Sequence, residues 1–485
     1  MGHARSAAVA TVAALFLCAR PIAAPAPASA AAAPAAATPR SPAQWEHLAR
    51  DIFAELVAIN STHEFGSTRV AEALAARFRA AGFPEADIAI VGPQPDKMNI
   101  VVRLHGRDGE RRKAVLFNGH LDVVEAARET WSVEPFRLTE QDGYFYGRGT
   151  QDMKDELAIL ATNLVRLRAE GLRPAHDLVL AFGTDEEAGG TIDGAEWLLA
   201  KHRELLDAAL VINTDITGGG RSAHGERVRN ELQTGEKVYV TYTLTARGTG
   251  GHSSMPTRDN AIYRLAAALG RIAAQPFPLH LNATTRRYLE ALAARTSEQR
   301  AADIRAVLGP VPDPAAQERL RDVPFINAAL RTTCTATQLQ AGQSESSLPM
   351  QAQATLQCRV LPDEKADDVL AALRRIVADP GIEFAVSFPA IDSPSTELDP
   401  KFLATVERIT HEMWPGVPVV PTLSVLGSDM VYFRGAGLPT YGLSGVFADE
   451  NDMRLHGRDE RIGVASFYEG LEFGYRMMKA LAGGN

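Results

Sequence analysis

Residues 114–122 read AVLFNGHLD, residues 178–187 LVLAFGTDEE and residues 209–215 ALVINTD. The apolar runs AVLFNG, LVLAFG and ALVINT have the length of buried strands, and each runs into histidine or carboxylates. Between and after them, MKDELAILATNLVRLRAEG (153–171) and AEWLLAKHRELL (195–206) read as helices. Strand and helix in alternation predict an α/β sheet with helices on its faces. In open sheets of this kind ligands collect at the carboxyl ends of the strands. Three such ends here deliver His120 with Asp122, Glu186 with Glu187, and Asp215.

Upstream, residues 44–59 place Trp45, Leu48, Ile52, Leu56 and Ile59 at helical spacing, and residues 69–81 do the same with Val70, Leu74 and Phe78. Near Glu236 the pattern changes. KVYVTYTLTARG (237–248) alternates polar and apolar residues, as a half-exposed strand does. A helix over 260–274 follows, then a polar helical stretch to about Arg321. Strands ALRTTCTATQL (329–339) and QAQATLQCRVL (351–361) flank the turn-like AGQSESSLP. A helix over 366–378 and the strand IEFAVSF (382–388) complete a β-α-β-β-α-β order, a self-contained α+β module of ferredoxin-like type. After Ser393 the α/β style returns, with GLPTYGLSGVF (437–447) as a strand and a closing helix over 466–481. The expected layout is a catalytic domain in two parts, 42–235 and 394–485, interrupted by an inserted module at 236–393. At 485 residues the chain is long enough for two domains.

The first forty residues differ. Arg5 precedes the apolar run 7–19, followed by a stretch of almost pure Ala and Pro. A positive start, a short apolar core and small-residue cleavage sites predict a signal peptide over 1–30 and an Ala/Pro-rich linker over 31–41. The run is shorter than the ~20 residues a membrane span needs. The expectation is a secreted or periplasmic protein with no membrane span. A net charge of -9 argues against a nucleic-acid partner. Beyond Cys18 the chain has only Cys334 and Cys358, too few for a thiolate metal site, so any metal must be held by histidine and carboxylate. Those two cysteines could face each other across a hairpin, but strain in cross-strand bridges favours free, packed thiols.

Two more segments join the strand ends. GRGTQDMK (147–154) supplies Asp152 in a Gly-rich loop entering a helix, and NDMRLHGRDER (451–461) supplies His456. Singly, an H-x-D or a Glu pair is commonplace. Together they give two histidines, three carboxylates and a spare glutamate, a donor set suited to zinc or a similar divalent ion in an open, catalytic site.

In order, GHLDVV, GRGTQDMK, TDEEAGG, NTD, GTGGHSSMP and LHGRDER resemble the dinuclear zinc hydrolase family of glutamate carboxypeptidase, acetylornithine deacetylase, succinyl-diaminopimelate desuccinylase, aminoacylase and carnosine-type dipeptidases. The resemblance extends from about Pro42 to the end of the chain. It implies a zinc-exopeptidase-like catalytic domain with an inserted lid and dimerisation domain, working as a homodimer. It also implies hydrolysis of an amide, in a small peptide or an N-acyl amino acid, beside a free carboxylate.

The resemblance further implies two zinc ions per subunit, cobalt or manganese being served by the same donors. His120 and Asp215 would bind one, Glu187 and His456 the other, and Asp152 would bridge them through a carboxylate followed by a cis peptide to Met153. Asp122 would accept a hydrogen bond from His120, and Glu186 would be the general base. His252, in GTGGHSSMP, would reach a neighbouring subunit's site and stabilise the oxyanion. Arg359, in QCRVLP, would grip the substrate carboxylate with its planar fork.

Three departures bear on specificity. Ser346 stands in SSLP where relatives commonly carry Asn, Asp155 and Glu156 follow DMK where many have Gly-Gly, and Gly427 replaces a hydroxyl residue of some relatives. Two rival readings are an aminopeptidase of the lidless type and a non-catalytic binding protein on the same scaffold. GTGGHSSMP speaks against the first, and the intact glutamate and five ligand positions against the second.

Overall fold

The computed structural model describes residues 38–107, 113–188, 193–216, 218–222, 225–450 and 452–483. The expected signal peptide, most of the linker, Gly189 and Gly190 of TDEEAGG, and Asn451 lie outside the described residues.

The three apolar runs are adjacent strands. Ala114–His120 lies between Leu178–Gly183 and Ala208–Asn213, parallel to both, so their carboxyl ends open on the same edge. They form the centre of a mixed sheet of ten strands among the described residues. The antiparallel pair Ile88–Gln94 and Lys97–Leu104 completes one side. Helices Ala43–Ala58, Thr68–Ala80, Lys154–Ala169, Pro400–Met413 and Val464–Ala482 cover one face around Phe53, Phe78, Leu157, Leu180 and Phe467. Gly194–Lys201 and Met430–Gly435 cover the other around Leu116, Val179, Leu198 and Phe433.

The change of pattern near Glu236 is a change of sheet. Arg227–Glu236 belongs to the large sheet, and Val238–Arg247 is a central strand of a four-stranded one. That second sheet runs Thr333–Ala341, Gln351–Val360, Val238–Arg247, Ile382–Phe388, with helices Ala261–Ala274 and Ala366–Val377 packed over Tyr242, Leu244, Leu265, Leu356 and Leu373. The β-α-β-β-α-β reading therefore matches the observed elements.

Some elements differ from expectation. The helix read over 195–206 ends at Lys201, where His202 leaves helical geometry, and a short 3-10 turn follows. GLPTYGLSGVF is two strands, Thr440–Gly442 and Phe447–Asp449, with different partners. Between them Gly445 runs so close to Phe473 of the closing helix that a Cβ there would sit 2.5 Å from the ring. The polar helical stretch is four helices reaching Leu330, because Asn282, Ser297 and Asp313 each cap a new start and Pro314 and Pro324 open the last two. These helices have their own core of Leu289, Ile304, Val307, Leu320 and Leu330, which packs on Val420.

The expectation of free thiols is corrected: Cys334 and Cys358 are disulfide-bonded. Register explains it. The two residues are direct partners on neighbouring antiparallel strands, so their side chains share one face at the shortest cross-strand separation.

Candidate metal centre

His120 is the last residue of its strand and is buried. Asp215 follows its strand by two residues, and its N–H donates to Asn213 Oδ1 at 2.8 Å. Glu186 and Glu187 follow Leu178–Gly183 across a turn in which Asp185 takes φ 56°. Asp152 ends the Gly-rich loop ahead of helix Lys154–Ala169, and its peptide to Met153 is cis, as the resemblance implied.

The loop around Asp152 is shaped by a residue the sequence reading passed over. The buried carboxylate of Glu460 accepts the N–H groups of Gln151 at 2.7 Å and of Gly149 and Asp152 at 3.2 Å. Its partner Arg148 also donates to the carbonyls of Gly457 at 3.1 Å and His456 at 3.4 Å. One ion pair thus fixes the approach of both Asp152 and His456. Glu460 was within the quoted LHGRDER, but a carboxylate serving backbone N–H groups leaves no spacing to read.

These elements bring the expected ligands together. One donor atom from each of His120, Asp152 and Asp215 lies within 4.8 Å of the others, and the same holds for Asp152, Glu187 and His456. Asp152 is common to both groups. Its Oδ1 is 3.0 Å from His120 Nε2 and its Oδ2 is 3.0 Å from His456 Nε2. Glu186 forms a third such group with His120 and Glu187. The arrangement is two three-residue nests joined by one carboxylate, with a glutamate beside the joint.

The charges do not balance without cations. Burial, with the charge of Asp152, pushes Asp215 up to about 7. Burial and the carboxylates of Asp215, Asp429 and Glu187 hold Glu186 well above the usual carboxylate range, with His120 opposing. Hydrogen bonding to Asp152 and Glu187 pushes His456 up to about 10. Glu187 Oε1 is buried and lies 3.0 Å from His456 Nε2. Four carboxylates crowded on two imidazoles fit divalent cations, which would neutralise the excess of negative charge.

Asp122 departs from its expected role in one atom. His120 Nδ1 is 3.0 Å from the backbone carbonyl of Asp122 and 3.7 Å from its carboxylate. The carboxylate instead accepts the N–H of Glu186 at 3.2 Å and of Glu187 at 3.0 Å.

His252 and Arg359 stand outside the ligand groups. His252 is exposed, on the two-residue strand Gly251–His252 that pairs with Ser347–Leu348, and its Nδ1 is 2.8 Å from Ser254 Oγ. Ser346 lies alongside, its carbonyl accepting the Ser253 N–H at 2.8 Å. Arg359 is half-buried on Gln351–Val360, its guanidinium 5.0 Å from the Tyr239 ring centroid. Among the described residues it makes no ion pair. A Cβ on Gly427 would sit 3.4 Å from its Nη1, with no other atom within 4 Å, so the missing side chain leaves the fork open. Asp155 and Glu156 are both buried, and Ser444 donates to Glu156 Oε1. Among the described residues, no helix is long and apolar enough to cross a membrane.

Comparison with known proteins places the chain in a family. The probable carboxypeptidase S-like 2 of Dictyostelium discoideum is 27% identical over 392 residues, 79% of this chain and 74% of that protein. The N-fatty-acyl-amino acid synthase/hydrolase PM20D1 of Xenopus tropicalis is 30% identical over 356 residues, 71% of this chain and 67% of that protein. Among solved structures, the M20 family metallo-carboxypeptidase Sso-CP2 from Sulfolobus solfataricus has a similar fold, with a TM-score of 0.66 at 17% identity over 90% of this chain and 99% of that one. Residues 116–480 match the family described as Peptidase family M20/M25/M40. With three-quarters of its length in that match and the ligand groups assembled, the chain belongs to peptidase family M20/M25/M40 and is a metal-dependent hydrolase of amide bonds.

Proposed function

We propose that the protein hydrolyses the amide of an N-acyl amino acid or small peptide next to a free carboxylate, using two zinc ions. The observation that carries this is Asp152 shared between two three-residue donor groups with Glu186 beside them. His120, Asp152 and Asp215 would hold one ion, and Asp152, Glu187 and His456 the other. When bound, the two cations supply Lewis acidity that makes a water acidic near neutral pH. Glu186 takes the proton from that water as its oxygen bonds to the amide carbon. It then delivers the proton to the nitrogen as the C–N bond breaks, releasing acid and amine. Arg359, half-buried and without an ion-pair partner among the described residues, supports recognition of the substrate carboxylate, which its fork would take in a bidentate pair.

The same reading makes 236–393 an inserted lid that pairs two chains, with His252 lent to the neighbour's site, and residues 1–30 a signal for secretion or the periplasm. Glu186→Gln is the direct test of the base. Turnover should vanish while two metals per chain remain, whereas Glu187→Gln should lose metal. The opposite pattern would exchange their roles, and activity in Glu186→Gln would end this reading.

A further inference from the structure

The loop between the first two helices, residues 59–67, touches three of the five segments that carry the expected ligands, those of His120, Asp152 and Glu187. Ser61 Oγ donates to the Leu121 carbonyl at 2.9 Å, and Val123 N–H donates to the Ser61 carbonyl at 3.2 Å. Lys154, fully buried two residues after Asp152, donates to the Ile59 carbonyl at 2.7 Å. Ser67 Oγ is 2.6 Å from Thr184 Oγ1. The fourth tie involves charge. Lys97, 4% exposed, places Nζ 2.8 Å from Asp185 Oδ1 and 2.5 Å from the His63 carbonyl. His63 Nδ1 lies 3.3 Å from Asp185 Oδ2.

Asp185 precedes Glu186 and holds the left-handed φ of 56°, a region that disfavours a residue with a Cβ. Aspartate usually tolerates it by bonding its own backbone, but this carboxylate is drawn away to Lys97 and His63. On either side the chain is fixed: Thr184 N–H donates to Asn99 Oδ1 at 2.9 Å, and Glu186 N–H to Asp122. The turn at 185 is the joint that sets where Glu186 points, and a buried ion pair anchors it.

We propose that the Lys97–Asp185 pair, gripped by loop 59–67, is a positioning device for Glu186, aligning the base with the attacking water. The proposal rests on Glu186 being that base. A pair serving stability alone would be replaceable by neutral groups of similar size. A positioning pair would not, because a small displacement of a catalytic group costs rate and leaves binding intact.

The test uses the full chain, metal-loaded, with an N-acyl amino acid as substrate. Lys97→Met/Asp185→Asn removes both charges and leaves none unpaired. It should lower kcat by about 10–100-fold, the usual effect of losing a group that orients a metal site, with KM within about twofold and two metals per chain. Lys97→Arg, which keeps the charge, should recover part of the loss. Asp185→Gly accepts φ 56° without strain and should be slow as well, since it lacks the anchor. Wild-type kcat in either the double variant or Asp185→Gly overturns the proposal, as does loss of metal in step with activity. If the double variant does not fold, Asp185→Gly and Asp185→Asn decide by the same criteria. Glu186→Gln run in parallel separates the two readings: activity there sinks the base assignment, whereas an inactive Glu186→Gln beside a fully active double variant sinks only the positioning role.

Discussion

The carboxylate of Asp122 binds the peptide N–H of Glu186, at 3.2 Å, and with its other oxygen that of Glu187, at 3.0 Å. Its own carbonyl lies 3.0 Å from His120 Nδ1. One residue therefore joins His120, at the end of one strand, to Glu186 and Glu187, just beyond the next. Asp122→Asn would turn an NH2 group toward one of the two N–H donors, where an acceptor is required. We expect a folded protein whose kcat falls by about 10–100-fold. Wild-type kcat at full metal occupancy would show that the peptide contacts do not position the base.

The metal-free protein should become less stable as pH rises. His456 has a folded pKa of about 10 against an ordinary 6.5, so its stabilisation is complete below the lower value and lost as pH rises through the upper. Asp215, pushed by burial to about 7 from 3.8, adds a cost over its own interval as its ionisation is resisted in the fold. Both terms have the same sign. Cations reverse the preference, since they bind the deprotonated groups. Thermal melts between about pH 6 and 9 should show Tm of the stripped protein falling. The Tm gain on returning zinc should grow over the same range. A stripped protein that gains stability toward alkaline pH would contradict the site's charge balance.

The ligands were legible because parallel strands with apolar interiors can show chemistry only where they end, and His120, Glu187 and Asp215 sit at or just beyond those ends. Asp152 and His456 needed the ordered motifs, since a loop and a late histidine carry no periodicity. What stayed hidden acts through the backbone. Glu460, Lys97, Lys154 and, in its contacts with Glu186 and Glu187, the carboxylate of Asp122 serve main-chain N–H or carbonyl groups far away in sequence, and any polar residue type can do that at any spacing. The strand read as GLPTYGLSGVF failed for a similar reason: its two pieces pair with different strands, and Gly445 between them packs on Phe473 of another element. The cysteines show how register decides. Their place on either side of one turn left their facing open, and the ladder made them direct partners.

The disulfide ties the strand Thr333–Ala341, which lies at one end of its sheet, to Gln351–Val360, the strand carrying Arg359. Thiol titration of the unfolded, unreduced protein should find neither Cys334 nor Cys358 free. Replacing both cysteines should cost about 3.5 kcal/mol for a loop closed over 24 residues. Two reactive thiols before reduction would refute the bridge.

Pairing of two chains gives the last test. His252 is exposed and belongs to none of the three donor groups, while Ile262 and Tyr263 of helix Ala261–Ala274 and Leu339 of the edge strand present apolar surface to solvent. A two-fold interface over that edge would cover unpaired strand groups that otherwise invite aggregation. It would also let each chain lend His252 to the other's site. Chains with His252→Ala and chains with Glu186→Gln should each be inactive alone. After subunit exchange, a mixed dimer holds one site with both defects and one with neither. Random pairing makes half the dimers mixed, so activity should return to about a quarter of wild type. Mixed dimers that form, as seen by mass or by differential tags, yet stay inactive would mean that His252 serves its own chain or none.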